Sequence, residues 1–382
     1  MPEKLVPQWV DTAAGVREVA ELCARSSRLA LDTEADSMHS YFHKVCLIQV
    51  TADGRNAVID PLALEPADLE PLWVVVGDPA VPVLMHGADY DLRVLDRDYG
   101  TAIRGLQDTQ TMARLLGEER TGLAFLLERE TGHQLDKRFQ RADWGRRPLS
   151  PEQLAYAAAD TAYLGLLADR LRARLEDLGR WAWAEEEFCK LEEVRHVPAE
   201  PDPLAFERIK GARALRGEAR DRLYSLHGWR DQQAQRLDVP PFKVLGNRQL
   251  LVLAEEPPGD MERLRKVEGV GRRAVGRWGR KILELVRTPK PAPARVVTPR
   301  TLALEPDARR RLKRLLAARD ARAQSLGLEP GLLCPRGCAE RVAAQEPRCL
   351  NSGDLAAAGL EGWRLEVLGE DFLSALDLDS GD

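Results

Sequence analysis

The sequence predicts an α/β N-terminal domain, with one mixed central sheet flanked by helices, followed by two all-α helical domains. Three observations carry this reading. Short apolar runs of strand length alternate with segments of helical spacing as far as about Val194. Two stretches, Pro198-Ala199-Glu200-Pro201-Asp202-Pro203 and Pro289-Lys290-Pro291-Ala292-Pro293, read as linkers by composition. The helical segment after the first stretch then recurs after the second. The expected units are 1–195, a linker at 196–205, a helical domain at 206–288, a second linker at 289–301 and a helical domain at 302–378.

Taken in order, Val16 to Ala24 has helical spacing, Leu29 to Asp32 reads as a strand, and Val45 to Val50 (VCLIQV) as a second strand. Asn56 to Ile59 is a short third strand before Asp60-Pro61, and Val81 to Met85 is another apolar run, ending at His86-Gly87. Asp91 to Asp98, Thr109 to Leu116, Leu123 to Thr131 and Pro151 to Leu178 are helical by periodicity. Strands first and helices later point to one sheet packed by helices. In the C-terminal half, Arg230-Asp231, Ala234-Gln235, Leu237 and Pro241 recur 89 residues on as Arg319-Asp320, Ala323-Gln324, Leu326 and Pro330. Glu268-Gly269 and Gly276 recur after 93 as Glu361-Gly362 and Gly369, which suggests a four-residue loop insertion within one duplicated fold.

At 44% hydrophobic and 31% charged, the 382 residues have ample material for several cores. No window approaches 18 uninterrupted apolar residues, so no membrane span is expected, and the N-terminus shows no secretory h-region. Six scattered cysteines do not resemble a disulfide framework, and a cytoplasmic protein is expected. The net charge of −5 hides an asymmetry. Glu207 to Arg300 holds 22 Lys/Arg against 11 Asp/Glu, a net of +11; everything before it is at −13 and everything from Leu302 at −3. A basic block beside an acidic one suggests a polyanionic partner met by the first helical domain.

The chemistry-bearing stretch is Leu29-Ala30-Leu31-Asp32-Thr33-Glu34. Alternate side chains of a strand share a face, so Asp32 and Glu34 project together. Two such acids resist ionising together unless a cation lies between them. Asp91 begins a helix after a strand, and in EQLAYAAADTAYL Tyr156 and Asp160 stand four apart on one helix face. Each feature alone is ordinary, since strand-end acids are commonly solvated and first-turn acids are favoured by the helix dipole. Together they fit two-metal phosphodiester cleavage, with four carboxylates holding two divalent ions, Mg²⁺ or Mn²⁺. Tyr156 is expected to orient the attacking water, because a phenol of pKa ~10 keeps its proton at neutral pH.

These residues resemble the three motifs of the DEDD exonuclease superfamily in its tyrosine-bearing branch, most closely the bacterial ribonuclease D family: Asp32 and Glu34 the first, Asp91 the second, Tyr156 with Asp160 the third. DTEADSMHSYFHKVCLIQV, QDTQTMARLLG and LDKRFQRADWGRRPLS are similar to the same family, and the two helical repeats resemble HRDC domains. The resemblance implies a ribonuclease H-like nuclease domain and a 3′→5′ exoribonuclease. Such an enzyme trims RNA with a free 3′ end, typically tRNA precursors and other small structured RNAs, and releases nucleoside 5′-monophosphates. A 3′→5′ DNA exonuclease of the proofreading or Werner type and a non-catalytic HRDC adaptor are the alternatives. No G-x-x-x-x-G-K-[ST] loop is present, so no NTP is expected, and a monomer is.

Nucleic-acid contacts are expected from Thr33, from the basic loop with Lys137, Arg138, Arg141, Arg146 and Arg147 around Trp144, and from the first repeat. There, KVEGVGRRAVGRWGRK reads as a helix-hairpin-helix, with Arg272, Arg273, Arg277 and Arg280 following Gly269 and Gly271. On this reading, removing Glu207 to the C-terminus raises KM and spares kcat. His86 is expected to be a structural strand-end residue, Cys334, Cys338 and Cys349 to hold no metal, and Trp229, Trp278 and Trp363 to be core.

Overall fold

The computed structural model describes residues 5–198, 200–295, 304–346, 349 and 351–377. Ala199 of the first expected linker, residues 296–301 of the second, and the outer ends of the first and last units (1–4, 302–303 and 378) lie outside the described residues. The N-terminal domain is built on β1 (Gln8–Val10), β2 (Leu29–Ala35), β3 (Val45–Ala52), β4 (Arg55–Ile59), β5 (Val83–Met85) and β6 (Leu106–Asp108), in spatial order β1-β4-β3-β2-β5-β6. β2, β3 and β4 pair antiparallel, whereas β1 with β4, β2 with β5 and β5 with β6 pair parallel, which makes the sheet mixed as expected. VCLIQV shows no alternation because β3 lies mid-sheet with both faces covered.

Around the sheet pack α1 (Ala13–Arg25), α2 (Glu70–Val76), α3 (Asp89–Tyr99), α4 (Thr109–Leu115), α5 (Leu123–Thr131), α6 (Pro151–Ala162), α7 (Leu164–Asp177) and α8 (Trp181–Glu192). Leu29, Leu31, Ile48 and Val50 pack with α1, α2 and α3 on one face, while Ala30 and Leu84 pack with α4, α5 and α7 on the other. Four elements fall outside the sequence-based reading, one of them the twelve-residue helix α8 (Trp181–Glu192). β1 and β6 are three residues each, too short to show a period, and α2 (EPLWVVV) is a β-branched run made helical by burial of Leu72, Trp73, Val75 and Val76. The expected single helix from Pro151 to Leu178 is two, broken at Tyr163, which leaves helical geometry at φ −111°, ψ 1°.

Two five-helix bundles follow. The first has α9 (Gly217–Leu237), α10 (Pro241–Val244), α11 (Asn247–Glu255), α12 (Met261–Lys266) and α13 (Arg272–Arg287); the second has α14 (Pro306–Leu326), α15 (Pro330–Leu333), α16 (Arg336–Ala344), α17 (Ser352–Ala357) and α18 (Trp363–Asp377). The duplication extends to arginines that are buried or half-buried. Arg222 and Arg230 donate to the carbonyls of Ala254 and Leu245 at 3.4 and 3.0 Å, and 89 residues on Arg311 and Arg319 donate to those of Ala343 and Cys334 at 2.9 and 3.1 Å. The offset becomes 91 at α17 and α18, so two extra residues, not four, separate the third and fourth helices. The glycine match suggested four because the turns before the last helix differ: the left-handed residues are Gly269 in one, Gly359 and Gly362 in the other.

Both bundles dock on the nuclease domain through one corner, the left-handed residue that ends the long helix. In the first it is Asp238 (φ +46°), whose Oδ1 accepts from the Tyr41 and Phe42 N–H groups at 3.0 Å each. The Tyr41 hydroxyl also donates to Asp231 at 2.9 Å. In the second it is Gly327 (φ +65°), whose carbonyl approaches Gly117 so closely that a Cβ there would lie 2.0 Å away. Arg180 bridges this contact, donating to Leu115 O and Leu326 O. The second bundle goes further: Trp183 stacks on Trp363 at 4.7 Å, and one continuous apolar core joins α4, α5, α7 and α8 to α14–α18. The first bundle keeps a core of its own. Trp229 and Trp363 are buried and Trp278 half-buried, as expected.

Candidate active site

Asp32 and Glu34 close β2 on the face covered by α6, opposite Gln49 and Leu47 of β3 in register. Asp91 stands in the first turn of α3, which follows the parallel neighbour β5, so the acids gather at the carboxyl ends of adjacent strands. Two groups fix that turn. Buried Asp108 accepts from Ala88 N–H at 2.9 Å and from Thr111 N–H at 2.6 Å, tying the start of α3 to that of α4. The Thr33 hydroxyl donates to Asp91 Oδ1. Asp160 and Tyr156 lie on α6, which starts at a Ser150–Gln153 capping box with Pro151 in its first turn. The Thr51 and Thr161 hydroxyls, 2.8 Å apart, seat the helix on β3. Phe139 and Trp144 hold the Tyr156 ring at 5.8 and 5.9 Å.

Burial raises all four carboxyl pKa values. Asp32 is pushed well up by desolvation and then by Asp91, Asp160 and Glu34; Glu34 is pushed to about 9 by desolvation and by Asp160 and Asp91. Asp91 and Asp160 are raised by desolvation, Asp91 with an opposing hydrogen bond from Thr33. No Lys or Arg is among the groups acting on them. Among the described residues no three Asp, Glu, His or Cys side chains are drawn in close enough to hold an ion as they stand. Four desolvated acids repel and stand apart, and oxygen donors lacking a protein counter-charge suit hard divalent cations. Tyr156 is pushed up by burial and by Asp160, Glu34 and Asp32, so its hydroxyl keeps its proton.

Two cavities, of about 290 and 250 Å³, open on Tyr156 and Asp160; Arg138 lines the first, Arg120 and Lys137 the second. Lys137, Arg138, Arg141 and Arg146 are exposed, with Arg138 paired to Asp136 at 2.6 Å. Arg147 is a correction. Its guanidinium is turned inward, donating to both Asp60 oxygens at 2.6 and 2.7 Å and to the carbonyls of Cys46 and Trp144, so it anchors the loop and has no reach to a phosphate. Thr33 is likewise spent on Asp91. Arg272, Arg273, Arg277 and Arg280 lie exposed along the start of α13. His86 is half-buried, its Nδ1 2.9 Å from the Thr109 hydroxyl, in keeping with a structural role; Cys334, Cys338 and Cys349 are buried free thiols. Arg120, set over Phe125 at 4.1 Å, gave no signal in the sequence; Asp108 did, within QDTQ, whose Asp precedes a helix as an N-cap.

A family model described as 3′-5′ exonuclease matches residues 7–176, and an HRDC domain model matches residues 219–286. The ribonuclease D of Granulibacter bethesdensis is 32% identical, over 94% of this chain and 90% of that one. The chain belongs to the ribonuclease D family. The crystal structure of Escherichia coli RNase D, described as an exoribonuclease involved in structured RNA processing, is 25% identical and covers 98% of this chain and 99% of its own, with a TM-score of 0.66. The catalytic core of RRP6 from Trypanosoma brucei is 26% identical over 74% of this chain and 79% of that one, with a TM-score of 0.67. This ribonuclease D family member is a 3′→5′ exoribonuclease of a type that depends on divalent metal ions and acts on RNA. The DNA exonuclease and adaptor alternatives fall away. Among the described residues no helix is long and apolar enough to cross a membrane.

Proposed function

We propose that Asp32, Glu34, Asp91 and Asp160 hold two divalent ions, Mg²⁺ or Mn²⁺, and that the chain trims the 3′ ends of tRNA precursors and other small structured RNAs. The observation that carries this is the gathering of four desolvated, mutually repelling acids, Asp91 buried and the others half-buried, from three elements with no cation of the protein's own among them. When bound, the ions supply the Lewis acidity that phosphodiester hydrolysis needs. The chain's own groups do the rest. Tyr156, protonated and braced by Phe139 and Trp144, donates a hydrogen bond that orients the attacking water. Thr33 aims Asp91. Lys137 and Arg138, in the two cavities beside Tyr156, receive backbone phosphates, and Arg141 extends that track. The product is a nucleoside 5′-monophosphate, the working form a monomer, and the compartment the cytoplasm, in keeping with six unpaired cysteines.

The second bundle supports an anion-binding role for the first. At the start of α18, Glu186 accepts from Trp363 N–H at 2.8 Å, and Glu187 accepts from Arg364 at 2.5 and 2.9 Å. This hairpin therefore grips carboxylates supplied by α8. The matching start of α13, with Arg272, Arg273 and Arg277, is exposed and suits phosphate. The decisive experiment is digestion of a 3′-extended tRNA in the presence of Mg²⁺ or Mn²⁺. Wild type is expected to shorten the 3′ extension with release of mononucleotides, and neither a blocked 3′ end nor a Glu34→Gln enzyme should give product. Trimming by Glu34→Gln at the wild-type rate would overturn the site.

A further inference from the structure

The one polar residue inside VCLIQV is Gln49, and the fold gives it nothing to do. Its side chain is fully buried, and neither amide nitrogen nor oxygen has a hydrogen-bond partner. An orphaned amide in an apolar interior is costly, and an aliphatic side chain of like volume would suit the strand better. Its place is specific, however. Gln49 stands directly opposite Asp32 in the antiparallel pair, so the two side chains rise from one face with Cβ atoms roughly 5 Å apart. Thr51, two residues on and on the same face, is bonded to Thr161 of α6. Gln49 therefore lies beneath α6, between Asp32 and the helix that carries Asp160.

We propose that Gln49 is a positioning residue for the metal site: its Nε2 amide, without a partner in the metal-free fold, donates to the Asp32 carboxylate when an ion is bound and holds that carboxylate's orientation toward the ion. This rests on the assignment of Asp32 as an ion ligand. Full burial rules out contact with RNA, so Gln49 acts through Asp32. Groups that hydrogen-bond a ligating side chain typically change metal affinity 10- to 100-fold when removed.

The test uses the full-length chain with Gln49→Leu and Gln49→Met, both lacking the donor, the second keeping the unbranched shape. Mn²⁺ binding is followed by the electron paramagnetic resonance signal of free Mn²⁺, and thermal unfolding is measured in chelator. Both variants are expected to bind Mn²⁺ about 10-fold or more weakly, while the chelated proteins melt at or above the wild-type temperature. Affinity within twofold of wild type would overturn the proposal. So would a fall in the chelated melting temperature that tracks the loss of affinity, since that marks a merely structural glutamine. Asp32→Asn separates the premise: if it still binds Mn²⁺ like wild type, the carboxylate assignment fails whatever Gln49 does.

Discussion

Protons and metal ions compete for Glu34 and its neighbours. With its pKa raised from 4.5 to about 9, Glu34 in the metal-free fold keeps a proton that the unfolded chain has already lost between those values. The stability tied to that proton is fully present below about pH 4.5 and is lost as pH rises toward 9. Ion binding must expel such protons, so it strengthens over the same window. The rise in melting temperature on adding saturating Mn²⁺ is therefore expected to grow from pH 5 to pH 9, and to grow less in Glu34→Gln; a gain flat with pH in both proteins would contradict the site. Tyr156→Phe removes an orienting hydroxyl and no base. It should lower kcat by about 10²-fold with KM little changed and the shape of the pH profile kept, as steady-state assays across pH would show. The convergence of Asp32, Glu34, Asp91, Tyr156 and Asp160 was legible because each stands at a recognisable strand end, first helical turn or helix face. Arg147 was misread because composition counts a charge without saying which way it turns, and Asp60, its partner, lies 87 residues away.

At the scale of elements, the hairpins before α13 and α18 show one frame put to two uses. Arg272→Ala and Arg273→Ala should each weaken RNA binding for all sequences alike and reduce the slope of log affinity against log salt by about 1. Filter binding or fluorescence anisotropy over a salt series checks this, and unchanged slopes would remove the first bundle from the RNA path. The longer strands and most nuclease-domain helices were legible because apolar spacing survives over two or more turns or pleats, though α2 and α8 were passed over. β1 and β6, at three residues each, had no room for a pattern. The Pro151 to Leu178 region kept its periodicity across the break at Tyr163, so periodicity alone could not locate the bend.

For the whole molecule, the two bundles are unequal. The second completes the nuclease domain's own core and holds Glu187 ionised, its pKa drawn down to about 2 as the hydrogen bonds from Arg364 and Trp363 outweigh the cost of burial. Ending the chain after Arg295 would strip Glu187 of both partners and bare the apolar faces of α4, α7 and α8. Such a truncated chain is expected to unfold at markedly lower denaturant and to lose kcat even on a short oligonucleotide. Denaturant midpoints and turnover with a trinucleotide check both. This replaces the expectation from sequence that everything after Glu207 is removable at the expense of KM alone. Linker composition could not distinguish a tethered domain from a docked one, because docking is written in Trp183, Glu187 and Gly117 on the nuclease side.

The corner that ends each long helix bears on how such a chain can change over generations. In one copy it presents the carboxylate of Asp238; in the other the carbonyl of Gly327 presses on the backbone of Gly117, where a Cβ would lie 2.0 Å away. The copies have ceased to be spare parts for each other. A recombination that replaced the second with the first would put an arginine, Arg272, where Trp363 stacks on Trp183, and would bring Asp238 to a corner whose nuclease-side partner is the backbone of Gly117 rather than the Tyr41 and Phe42 N–H groups. The reverse exchange would leave the loop after Glu34 without its grip. Duplication doubled the module; the two left-handed corners made the doubling irreversible.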